Sequence, residues 1–105
     1  MGTNNASSQN LLDVARLAVR VNKVNTFDDE IKDLISAARA ELTGVGVLPA
    51  KAYDDNDPLI RRAIILYVKA EFGLDNPDAQ RYRESFDHLK LHLALASDYI
   101  SNEEV

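Results

Sequence analysis

Asp57-Pro58-Leu59-Ile60-Arg61-Arg62-Ala63-Ile64-Ile65-Leu66-Tyr67-Val68-Lys69-Ala70-Glu71-Phe72-Gly73 is the stretch that decides the fold. Asp57 is a side-chain cap, and Pro58 supplies a preset φ at the first helical position, where its missing N–H costs nothing. Gly73 closes the segment as a residue free to turn left-handed. Between these marks, Leu59, Ile60, Ala63, Ile64, Leu66, Tyr67, Val68 and Ala70 wrap most of a helical wheel. Arg62 and Lys69 mark the solvent strip, which predicts a buried hub helix over 58–72.

The next punctuation repeats the first. Asn76-Pro77 opens a helix predicted over 77–97, with Tyr82, Phe86, Leu89 and Leu93 as core anchors. On roughly the opposite side lie Leu91 and Leu95, flanked by His88, His92 and Tyr99. Upstream, a helix starting near Ser8 or Asn10 carries Leu11, Leu12, Val14, Ala15, Leu17, Ala18, Val19 and Val21 over more than half its circumference. Only Asp13, Arg16 and Arg20 form its polar stripe. One packing partner would not use so wide a face. Asn22 to Asn25 break the period, and Thr26 reads as the cap of a second helix with Asp28, Asp29 and Glu30 in its first turn. Phe27, Ile31, Leu34, Ile35, Ala38 and Leu42 form that helix's single stripe, and Gly44 ends it; residues 45–56 read as a loop.

The expectation is therefore an all-α fold: a small bundle of four main helices in one domain spanning 1–105. A flexible N-terminal segment over 1–7 and a short acidic tail over 99–105 complete it. The 105 residues can bury a workable core unaided. With no cysteine there are no disulfides, thiolate metal sites or thiol nucleophiles, and the chain is expected to stay in a reducing cytosol. A net charge of −5 with scattered cations argues against a dedicated nucleic-acid binder, and it equally suits a surface that lets DNA slide past.

No constellation points to an enzyme, a cofactor or a metal. Glu84, His88 and His92 recur at i, i+4, i+8, yet no further ligand is evident, so a polar and apolar interface strip is the plainer reading. Asp54, Asp55, Asn56 and Asp57 lack the glycine turn and closing glutamate of a calcium loop. Ser85 and His88 stand on a bare helix without an oxyanion hole, and Gly44-Val45-Gly46 lacks the strand and glycines of a nucleotide loop. Arg61, Arg62, Arg81 and Arg83 are interleaved with acids and read as salt-bridged helix surface. What remains is surplus apolar surface. It fits either a tightly folded bundle or a subunit with two different sticky patches that docks head to tail.

The runs Leu11 to Arg20, Asp28 to Ala38, Asp57 to Gly73 and Tyr82 to Lys90 resemble the small helical head-tail connector family of long-tailed bacteriophages, the head-completion or adaptor proteins tied to DNA packaging. The resemblance spans nearly the whole chain. It implies a virion structural protein, assembled in the host bacterial cytoplasm, with neither catalysis nor cofactor. Its partners would be itself as a ring, dodecameric on the portal, together with the portal protein and a stopper or tail-completion protein. DNA would pass through the ring without sequence-specific binding, and no membrane would be involved. The resemblance also sends the C-terminal segment toward the portal. Together with the outward strip, that marks Leu91, Leu95, Tyr99, Ile100 and Val105 as the expected partner-binding residues. The competing expectation is a cytosolic protein-binding module or regulator that uses the Leu91 and Leu95 strip as a dimer or heterodimer.

Overall fold

A computed structural model describes residues 10–20, 26–73 and 76–101. Within them the chain forms α1 (Leu11–Ala18), α2 (Asp28–Gly44), α3 (Pro49–Ala52), α4 (Pro58–Glu71), α5 (Ala79–Ala94) and α6 (Ser97–Ile100), and there is no strand among the described residues. The expected 1–7 segment, Val21, the 22–25 break and Val105 lie outside them.

The hub is where the sequence places it. The Asp57 carboxylate accepts from the Leu59 and Ile60 N–H groups at 2.9 and 3.3 Å, satisfying two orphan donors at the start of α4. Gly73, at φ +82°, turns the chain off the other end. Ile60, Ala63, Ile64, Val68 and Ala70 are buried along α4, and α2, α5 and α1 pack around it. From α2 come Ile31, Ile35, Ala38 and Leu42, and from α5 come Phe86 and Leu93. The Phe86 ring meets Tyr67 of α4 edge-on at 5.1 Å.

Three local expectations shift. The stretch expected as loop between α2 and α4 holds the single turn α3, which Pro49 opens after an extended Leu48. Thr26 is not the cap of α2: the helix begins at Asp28 after Phe27, with no side-chain capping bond. Tertiary contacts outrank the cap there, since Phe27 lies edge-on against Phe72 at 5.5 Å and Asp28 is clamped by Arg16. The last helix is two pieces. It stops at Ala94, passes through Leu95 and Ala96, and resumes as α6. At its start the cap position is Asp78 rather than Asn76, with no side-chain capping bond. Asn76 instead accepts the Asp78 N–H at 3.0 Å within the turn that holds Pro77, ahead of the first helical residue Ala79.

α1 is fastened by a short apolar contact and by charge. Only Leu11 and Ala15 of its wide apolar face are buried in the core, with Leu12 and Val19 packed against it. Arg16 donates to both Asp28 oxygens at 2.8 and 2.6 Å and to Asp13 at 2.8 Å, a two-pronged geometry that fixes the angle between α1 and α2. Hydrogen bonding to Asp28 raises the Arg16 pKa, and the same bond lowers that of Asp28.

Candidate partner-docking surfaces

The exposed strip on α5 exists because the opposite side of that helix is fully used. Phe86 and Leu93 are completely buried. A charged network also holds the helix against rolling: Lys90 donates to Glu41 of α2 at 2.8 Å, and Arg83 donates to Glu71 of α4 at 2.7 Å. Arg83 lies 3.5 Å from Asp87 and Lys90 lies 3.8 Å from Asp87, so the three helices share one net of charge. The Lys90 hydrogen bond draws the Glu41 pKa below its ordinary value. With α5 so fixed, Leu91 is 60% exposed and Leu95 is 76% exposed, one turn apart on the same face, with His88 and His92 exposed beside them.

The tail residues behave differently. Tyr99 is half-buried, and its hydroxyl donates to the Asp57 carboxylate at 3.0 and 2.9 Å. Its carbonyl accepts the Leu48 N–H at 2.8 Å, and the Lys51 ammonium sits 5.6 Å from its ring centre. Burial, the bond to Asp57 and the negative charge there push the phenol up to about 12. Tyr99 thus ties α6 to the N-terminus of α4 and to α3, while Ile100 beside it is exposed. Of the residues expected to meet a partner, Leu91, Leu95 and Ile100 present free apolar surface, Tyr99 anchors the segment that carries Ile100, and Val105 is outside the described residues.

Further apolar surface lies elsewhere. Leu17 is 68% exposed on α1, and Tyr53, 63% exposed, lies beneath the Arg39 guanidinium at 4.8 Å in the turn after α3. The excess width of the apolar face on α1 signalled Leu17 in advance. Tyr53 had no such signal, because a lone aromatic in a loop has no period to place it.

The other sequence candidates resolve into local contacts. Asp54 accepts the Asn56 N–H at 3.1 Å, Asp55 pairs with Arg39 at 2.9 Å, and Asp57 caps α4, so these acids do not converge on one centre. Glu84, His88 and His92 are exposed on α5, and among the described residues no three His, Cys, Asp or Glu side chains are placed to hold a metal ion. No helix among the described residues is long and apolar enough to cross a membrane.

The geometry defines a class: a small all-α protein that exposes apolar patches on helices held together by a buried core and ion pairs. Residues 11–100, from the first residue of α1 to the last of α6, match the family described as phage connector protein, and the chain belongs to that family. It is a bacteriophage head-tail connector, a structural component of the virion that associates with other phage head or tail proteins. No curated protein and no solved structure shows a significant match to it.

Proposed function

We propose that the chain assembles as a ring that joins the portal to a stopper or tail-completion protein and lines the conduit through which DNA passes. The observation that carries this reading is the Leu91 and Leu95 strip. Two leucines 60% and 76% exposed stand on a helix clamped by ion pairs, so water contacts a preformed apolar face that binding would cover. Leu17 on α1 offers a second patch on a different helix, as a subunit with neighbours on more than one side requires. The net charge of −5 suits a wall past which DNA slides.

In this reading Leu91 and Leu95 meet a partner protein, Tyr99 holds the segment that presents Ile100 toward the portal, and Val105 belongs to the same portal-binding tail. Assembly takes place in the host bacterial cytoplasm, as a dodecameric ring on the portal. The test is to mix purified protein with purified portal and image by electron microscopy. A ring of added density beneath the portal is the expected result. A discrete dimer in solution, with bare portals, would reject the reading.

A further inference from the structure

α2 and α4 pack through their buried faces, Ile31, Ile35, Ala38 and Leu42 against Ile60, Ala63, Ile64 and Val68, so their outer faces point away from each other. At about 100° per residue, the outer face of α4 is Pro58, Arg62 and Lys69, with half-buried Ile65 on its edge. Lys69 rests 4.5 Å from the Tyr82 ring centre, and Arg62 is exposed with no ion pair or hydrogen bond among the described residues. This face is basic and partly apolar. The outer face of α2, by the same projection, is Asp29, Asp33, Ser36 and Ala40, all exposed, with Glu30 on one rim and Lys32 on the other. Asp29 and Asp33 likewise make no ion pair among the described residues. Arg16, Arg39, Arg83 and Lys90 all find acids within the subunit. Among the described residues, by contrast, Arg62 and Lys69 on the α4 face, and Asp29, Asp33, Glu30 and Lys32 on the α2 face and its rims, make no ion pair, which leaves the first face net basic and the second net acidic.

We infer that the outer face of α4 docks on the outer face of α2 of a second copy of this chain, with Arg62 set against Asp29 and Asp33 and Ile65 lying over Ser36 and Ala40. Charge complementarity names the occupant: the face that matches the basic strip of α4 is carried by the same chain. Ser36 and Ala40 are short enough to let the neighbouring helix approach closely, which spares Ile65 a wet contact. Because the two faces differ and point in opposite directions, the contact is head to tail and repeats from copy to copy, leaving the Leu91 and Leu95 strip for other proteins. The inference rests on the ring reading and assigns its subunit seam.

The test uses the full chain assembled on purified portal. Arg62→Asp and Asp33→Arg each place like charges at every seam, and each is expected to raise the concentration needed for ring formation about tenfold or more; the double variant restores it. Circular dichroism should show all three folded, since both side chains are exposed and make no ion pair among the described residues. The chain contains no cysteine, so Arg62→Cys combined with Asp33→Cys and a short bis-maleimide should give a ladder of linked subunits on portal-bound rings. Single variants that assemble like the wild type, a double variant that fails to recover, or the absence of a ladder would each overturn the seam while leaving the ring intact. A wild-type chain that forms no ring would remove the ring reading, and the seam with it.

Discussion

Replacing Asp57 by alanine should be the most damaging single change at a residue outside the apolar core. The carboxylate serves two tasks at once, capping α4 through the Leu59 and Ile60 N–H groups and accepting the Tyr99 hydroxyl. Loss of a cap costs about 1 kcal/mol. Loss of a hydrogen bond to a charged acceptor costs about 1.5 kcal/mol, the lower end of the usual range because both side chains are half-buried. The sum is about 2.5 kcal/mol, or a fall in Tm of roughly 10–20 °C for a domain of this size. Tyr99→Phe keeps the ring and removes only the shared bond, so it should cost about 1.5 kcal/mol. The double variant should then be less destabilised than the two singles summed, by about that same amount. Urea unfolding followed by circular dichroism measures all four corners of the cycle. The sign of the pH effect is also fixed. The Tyr99 phenol is raised from 10.0 to about 12 in the fold, so its stabilisation is complete below pH 10 and disappears as pH rises through 12. Tyr99→Phe should lose less stability than the wild type across that interval. Additive single variants, or an Asp57→Ala cost below about 0.5 kcal/mol, would refute the coupling of cap and tail.

Acid should act through other groups. Hydrogen bonding lowers Asp28 from its ordinary 3.8 and Glu41 from its ordinary 4.5, so the stability they supply is present above those values and is lost as pH falls below them; Asp28→Asn should flatten the acid limb of an unfolding titration. Phe86→Ala removes a fully buried ring from the contact of α5 with α4 and should cost about 3–5 kcal/mol, enough to leave little folded protein in a thermal melt. Leu91→Lys with Leu95→Lys should leave Tm within a few degrees, because both side chains are largely in water, yet abolish co-sedimentation with the portal.

The parts of the fold legible in the sequence are those whose causes lie within a few residues. Asp57-Pro58 and Gly73 bound α4 by chemistry that needs nothing distant, and Asn10 caps α1 by the same short reach. The 3.6-residue period exposed Leu91 and Leu95 and buried Phe86 and Leu93 before any packing was known. Illegible features depend on residues far apart in the chain. α3 and the break before α6 are joined by the Leu48 N–H to the Tyr99 carbonyl, a contact across 51 positions that no local pattern announces. Arg16 reads as solvent stripe until Asp28 arrives from the next helix. Tyr99 reads as loose tail for the same reason, although it closes onto Asp57 42 positions away.

The central claim is that this connector docks beneath the portal as a ring, and electron microscopy of portal mixed with the full chain tests it most directly. The expected result is a continuous ring of extra density coaxial with the portal channel, lost when Leu91 and Leu95 are both replaced by lysine. Portals that remain bare at saturating protein, or that carry density off the channel axis, would contradict it.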